Sequence, residues 1–321
     1  MLAGIKDAIF KAFSILVMTS VAGNVTGCGV NVPHAVQLPS ASSVQKSLAE
    51  PVPQSTSVPV LNEKTVQKAV STAPVVDTSK QAILQGQPAP DPLAAIRVPI
   101  LEYHDTAYIS KDPWAMSQTQ FAEEMAFLAK NGFHPITLDQ FHAAKFNHAS
   151  LPSRPIIITF DDGYVSNFTN AYPVLQQYGF HATIFMVSGF IGRKGFLTAD
   201  QLKTLENSGL VQIESHTVHH KNLSHLTQSQ VMFELTHSRE TLSQVLGRPV
   251  NYFCYPEGGY NWNVALDVQR AGYLLATTTT QGYANLAENP VRLRRIVVHE
   301  GVSLSQFAKL LGPSMVEGQK A

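Results

Sequence analysis

Ile156-Ile157-Ile158-Thr159-Phe160-Asp161-Asp162-Gly163 is the stretch on which the reading of this chain turns. Five apolar or β-branched residues in a row make a short strand buried on both faces, and such strands belong to parallel sheets covered by helices. The strand ends in two adjacent carboxylates and a glycine. In β/α architectures that end of a strand is where active sites are built, although Asp-Asp-Gly taken alone also makes an ordinary turn.

Working outward, further apolar runs at 182–187, 210–213, 252–255, 274–278 and 296–298 read as strands. Between them Ser117 with Gln120, Thr198 with Gln201 and Thr227 with Gln230 carry the capping-box pattern of a helix start. Gly132, Gly209 and Gly247 stand where the helices should stop. In the third helix Val231, Leu235, Leu242 and Leu246 recur at helical spacing and form one core-facing stripe. Repeated strand–helix alternation predicts an α/β fold, a (β/α) barrel of roughly eight units. Its length of about 220 residues makes that barrel small or distorted, with an open sheet as the alternative.

The chain has 321 residues, and its 23 basic and 23 acidic side chains cancel. A balanced chain without a long basic run is not built for nucleic acid, which needs clustered Lys and Arg. Only Cys28 and Cys254 occur, so a cysteine-based zinc site and a multi-bridge disulfide framework are excluded within one chain, and a metal must use His and carboxylate.

The first 92 residues differ in character. Lys6 and Lys11 precede an uncharged stretch at 12–23, too short to span a bilayer, which reads as an export signal over 1–27. Val25-Thr26-Gly27-Cys28 resembles the lipobox of bacterial lipoproteins, in which the cysteine is lipidated. The expected location is outside the cytoplasm, anchored to the membrane through Cys28, with plain secretion as the alternative. Residues 29–92 hold nine of the 19 prolines and no Phe, Tyr or Trp. Such a segment cannot bury enough apolar surface to offset its ordering entropy, so 28–92 reads as a disordered tether. The catalytic domain is expected over 93–312, followed by a tail at 313–321.

The second cluster with chemistry is His216-Thr217-Val218-His219-His220, again just after a strand. A spacing of four lets His216 and His220 converge on one ion, and two imidazoles with one carboxylate describe a catalytic zinc-type site.

Thr159-Phe160-Asp161-Asp162-Gly163, Ser215-His216-Thr217-Val218-His219-His220 and Tyr252-Phe253-Cys254-Tyr255-Pro256-Glu257-Gly258 together resemble the successive motifs of the NodB-homology polysaccharide deacetylases, carbohydrate esterase family four. Leu101-Glu102-Tyr103-His104 and the segment 131–137 further resemble the extracellular branch that includes biofilm poly-N-acetylglucosamine deacetylases. The resemblance implies a distorted barrel in which Asp161 is the general base and Asp162, His216 and His220 hold a divalent metal, zinc first, with cobalt or nickel as alternatives. It implies that the backbone N–H of Tyr255 serves an oxyanion and that His299, in Ile296-Val297-Val298-His299-Glu300, is the general acid. The implied activity is removal of acetyl groups from N-acetylglucosamine units of a polysaccharide. Poly-β-1,6-N-acetylglucosamine is favoured, with peptidoglycan and chitin-like oligomers as alternatives; no protein partner is expected. The rival reading is a glycan-binding module on a degenerate deacetylase fold.

Three departures from the family pattern stand out. Cys254 occupies a place where many members have an arginine that steers the base, and Arg294 or Arg295 would have to supply that charge. Glu214 stands where a small residue is usual, and reads as an exposed acid. The family's tryptophan-containing fourth motif is not recognisable around 277–282. Trp114, Trp262 and Tyr260 are candidate stacking faces for sugar rings, and His104 is given no role beyond structure, although at a strand end it could reach the site.

Overall fold

The computed structural model describes residues 93, 96–107 and 112–312. The expected signal, Cys28 and the tether lie outside them, and so does the tail.

Among the described residues ten strands and seven α-helices follow one another, interrupted by short 3₁₀ turns and one π turn. In order they are β1 (Arg97–Val98), β2 (Ile100–Tyr103), α1 (Gln118–Lys130), β3 (His134–Pro135), α2 (Leu138–Asn147) and β4 (Pro155–Asp162). Next come α3 (Tyr172–Tyr178), β5 (Ala182–Met186), α4 (Ala199–Asn207), β6 (Val211–Ser215), α5 (Gln228–Leu246) and β7 (Tyr252–Cys254). The domain closes with α6 (Trp262–Arg270), β8 (Leu275–Gln281), β9 (Ala284–Asn285), β10 (Leu293–Val297) and α7 (Leu304–Leu310).

Seven strands form a closed parallel ring in the order β2-β10-β8-β7-β6-β5-β4, and β4 pairs back onto β2 through Ile100↔Ile157 to Tyr103↔Phe160. The open-sheet alternative is thereby excluded, and the ring has seven staves rather than eight. The would-be eighth, β3, is two residues long, contains Pro135, and pairs only with the start of β4. A proline has no N–H for a ladder on its second side, so β4 bypasses β3 and closes on β2.

Strand alternation sorts the core into two layers. Ile156, Ile158 and Phe160 point outward with Ile184, Met186, Val211 and Ile213 into the main core beneath the helices. Ile157, Phe185, Tyr252, Cys254, Leu275 and Leu293 fill the ring, where Leu138, Phe141 and Ala144 of α2 join them. Asp139 of α2 accepts hydrogen bonds from the Tyr252 hydroxyl and, at 3.2 Å, from Gln212, which ties this helix across the N-terminal ends of the strands. The opposite end of the ring is left for the chemistry.

Two of the three predicted capping boxes are complete, at Thr198/Gln201 and Thr227/Gln230. The third is half made. Ser117 accepts from the Gln120 N–H, but the Gln120 amide turns away to Glu124 and to the His299 carbonyl, pinning α1 to the segment after β10.

Candidate active site

β4 delivers both carboxylates. Neighbours on a strand face opposite ways, yet Asp161 and Asp162 are both turned to the mouth of the ring, and Asp162 carries a left-handed φ of 71° that lets it do so. Gly163 follows with φ 85°, and a Cβ there would lie 2.0 Å from the Met186 sulfur, so only glycine fits.

The loop after β6 delivers the histidines. His216 Nδ1 lies 2.8 Å from the Cys254 carbonyl, which can only accept, so that nitrogen carries the proton and Nε2 presents its lone pair inward. His216 Nε2 is 3.5 Å and His220 Nε2 3.2 Å from the same atom, Asp162 Oδ1. Thr217 and His220 sit at φ 67° and 55°, a costly backbone for side-chained residues. Glu234 of α5, almost fully buried, holds it: its Oε2 accepts from the N–H groups of Val218 and His219 at 2.9 Å, and its Oε1 takes His219 Nδ1 at 2.8 Å.

These three residues fit a divalent cation. Their ligand atoms lie within 4.8 Å of one another. Asp162 Oδ1 is buried with no hydrogen-bond partner, a costly state that a cation relieves. Burial pushes the Asp162 carboxyl up to about 6 and His216 down to about 3. A neutral imidazole is the form that ligates, and a positive ion at this point would restore the carboxylate.

Asp161 is held quite differently. Arg295, wholly buried on β10, grips it bidentately, Nη1 to Oδ1 at 2.8 Å and Nη2 to Oδ2 at 2.6 Å. Burial alone would raise this carboxyl; the paired guanidinium outweighs it and holds Asp161 well below the usual carboxylate range. Arg295 is itself fixed by donating to the Thr278 carbonyl (3.0 Å) and to Thr159 Oγ1 (3.1 Å). The charge absent at Cys254 thus arrives from β10. Arg294 is half exposed and pairs with Glu288 instead. Cys254 is buried as expected, with a further contact: its thiol donates to Asp161 Oδ2 at 3.3 Å.

Below Arg295 lies Glu102, buried, with Oε2 3.1 Å from Arg295 Nε but no hydrogen bond to either oxygen. Burial pushes it up to about 7 against the pull of Arg295. His104, for which a strand-end position left this open, reaches the site: its Nε2 is 4.0 Å from Asp161 Oδ2 and its ring packs 4.6 Å from Trp114. Burial pushes His104 down to about 4. The signal for this pair was in the strand, where Ile100, Glu102 and His104 alternate onto one face.

Three expectations need correction or relocation. The Tyr255 N–H donates to the Thr277 carbonyl at 3.1 Å and is consumed by the β7–β8 pairing, so it is not open to an oxyanion. Glu214 is completely buried rather than exposed, because β6 turns it into the ring with His216. There it accepts from Arg248 (2.9 Å) and the N–H groups of Asn251 and Tyr252 (2.9 and 2.7 Å). His299 stands at the rim with Nδ1 3.1 Å from the Pro113 carbonyl, and its ring and that of His104 both pack against Trp114, at 5.6 and 4.6 Å. Trp114 and Trp262 are exposed, whereas Tyr260 stacks on Tyr255 at 4.9 Å.

Comparison with known proteins agrees with this arrangement. Residues 148–276 match the family model described as polysaccharide deacetylase. YxkH of Bacillus subtilis (strain 168), whose name places it among the polysaccharide deacetylases, is 32% identical over 245 residues, 76% of this chain and 84% of its own. The poly-β-1,6-N-acetyl-D-glucosamine N-deacetylase of Staphylococcus aureus (strain MRSA252) is 26% identical over 200 residues, 58% of this chain and 69% of its own. Among solved structures, the Bacillus cereus polysaccharide deacetylase BC0361 superposes with a TM-score of 0.61 at 28% identity, covering 67% of this chain and 69% of that one. With the ring, the two carboxylates and the paired histidines in place, this chain belongs to the polysaccharide deacetylase family.

Proposed function

We propose that the protein is a metal-dependent N-deacetylase that hydrolyses the acetamide of N-acetylglucosamine units in an extracellular polysaccharide and leaves the glycosidic bonds intact. One observation carries the reading. A carboxylate locked in its ionised form, Asp161 on Arg295, stands beside a three-donor set, Asp162, His216 and His220, whose shared oxygen lacks any other partner. A pure binding module has no need of a buried base beside such a set, and the pairing of Arg295 with Asp161, in the absence of an arginine at Cys254, supports the reading.

When bound, a divalent ion, with zinc the first choice, polarises the acetamide carbonyl and makes water a better nucleophile. The chain's own residues do the rest. Asp161 takes the proton of the attacking water, and Arg295 keeps its carboxylate unprotonated and aimed. His104, neutral at rest, stands 4.0 Å from Asp161 and is the better placed of the two histidines to pass that proton to the leaving amine. His299, which also packs against Trp114, is the alternate donor.

The likeness to the staphylococcal enzyme favours β-1,6-linked poly-N-acetylglucosamine as the substrate. The N-terminal sequence supports export and a lipid anchor at Cys28. The test is acetate release from β-1,6- and β-1,4-linked N-acetylglucosamine oligomers with zinc or cobalt added. Activity on the β-1,6 series that is abolished by Asp161→Asn supports the proposal. Metal binding without acetate release from any glycan would sink it and leave the binding module.

A further inference from the structure

The loop that carries His216 and His220 has a second side. Between the two ligands, His219 points the other way, onto α5, and there it borders a groove of about 280 Å³. The floor of this groove is aromatic. Phe233, 43% exposed, lies nearly parallel to the His219 ring (11°, centroids 6.2 Å) and stacks on His237 at 4.0 Å. Its walls are Leu226, Lys221, Ser229 and Gln230.

The His219 ring is set firmly in place, with its side chain 46% exposed. Buried Glu234 fixes Nδ1, so Nε2 faces outward as a hydrogen-bonding group. A helix that follows a parallel strand runs back along it, so the first two turns of α5 lie at the same end of the ring as the metal ligands. The groove therefore begins within one residue of His220. A flat apolar floor with a rim of hydroxyl, amide and amine groups is the chemistry that receives a sugar ring, whose faces are apolar and whose edge is all hydroxyls.

We infer that the groove lined by Phe233 and His219 is a subsite for a sugar unit of the polysaccharide two or more places along from the one that reacts, because His219 points away from the side of the loop that faces Asp162. The inference rests on the deacetylase reading, because a polymer reacting at one unit must lay its other units across the surface beside the site. It makes the enzyme length-sensitive: a hexamer reaches the groove, whereas a dimer held at the metal does not fill it.

The test compares Phe233→Ala and Phe233→Trp with the wild type on N-acetylglucosamine dimers and hexamers, by kcat/KM and by calorimetric binding of the hexamer. Loss of one stacking face is expected to lower the hexamer-to-dimer ratio of kcat/KM about three- to tenfold, through KM, with tryptophan restoring it. Hexamer affinity should fall by the same factor. An equal effect on both lengths, or none on either, overturns the subsite. If no glycan releases acetate, the calorimetric arm still decides: weaker hexamer binding by Phe233→Ala upholds the groove while the deacetylase reading fails, and unchanged binding refutes the groove.

Discussion

Arg295 is the residue on which the site depends, and it is also the one that sequence comparison alone places least securely. It is completely buried, and its guanidinium satisfies Asp161, Thr159 and Thr278 together. Removing one partner of a buried ion pair strands the other, at a cost of roughly 3–5 kcal/mol. Arg295→Met is therefore expected to lower the melting temperature and to cut kcat at least a hundredfold by freeing Asp161 from the bidentate grip that aims it. The accompanying sign is that the acid limb of the pH–rate profile moves to higher pH, which a pH series on the purified variant reads directly. Cys254→Ala removes a thiol that donates to Asp161 Oδ2 at 3.3 Å and accepts from Arg295 Nη2 at 3.1 Å, leaves the bidentate ion pair in place, and should lower kcat less than tenfold, measured the same way. The convergence of Asp162, His216 and His220 was legible from spacing and order, because two histidines four apart after a strand can meet at one point. Arg295 was one of two candidates, since adjacent residues on a strand differ only in which face they take, and the register of β10 against β8 decides that. Glu214 was misread for the complementary reason. A lone acid in an apolar strand looks like a solvent-facing residue until Arg248 and two backbone N–H groups are seen around it.

At the level of elements, α1 and α5 do more than cover the sheet. Glu124 of α1 is buried, accepts from the Tyr103 hydroxyl at 2.7 Å and is pushed up to about 7 by burial. A carboxyl whose folded value lies above its unfolded one contributes stability below the unfolded value, and loses it as pH rises through the folded one. Thermal melts between pH 4.5 and 8 should show the wild type losing stability relative to Glu124→Gln across that window; parallel curves would contradict the assignment. On α5, Glu234 braces the strained loop between the two histidine ligands. Glu234→Gln keeps the shape and removes the charge, and zinc affinity by chelator competition is expected to fall about tenfold while the fold persists. The helices at Thr198 and Thr227 were read correctly from complete capping boxes, whereas the complete boxes at Thr137/Gln140 and Ser303/Gln306 went unread. Ser117 and Gln120 show the limit of the pattern: Gln120 has the right spacing, but tertiary partners in the segment after β10 outbid its own N-cap.

For the whole molecule, alternating strands and helices were enough to recognise a β/α ring, because each buried strand demands a helix on its outer face. The count of staves was not legible, since a two-residue β3 with a proline leaves the same helix–strand rhythm as a full stave would. Stripping the metal should lower the melting temperature, and adding zinc should raise it in proportion to the logarithm of its concentration, as ligand linkage requires; calorimetry with and without a chelator tests this. An unresponsive melting temperature would mean that Asp162, His216 and His220 do not hold an ion in the folded state.

The seam of the ring has a consequence for how the protein comes to be folded. β2 is the first stave in the chain and β10 the last, and they pair through Ile296↔Leu101, positions about 195 residues apart. Until β10 is made, β2 has β4 on one side and an open edge on the other, and β8 likewise lacks a neighbour. Closing so long a loop is slow, and unpaired parallel edges are sticky while they wait. Ring closure should thus be the late, rate-limiting event of folding, and a chain cut before residue 293 should aggregate instead of folding into a six-stave remnant.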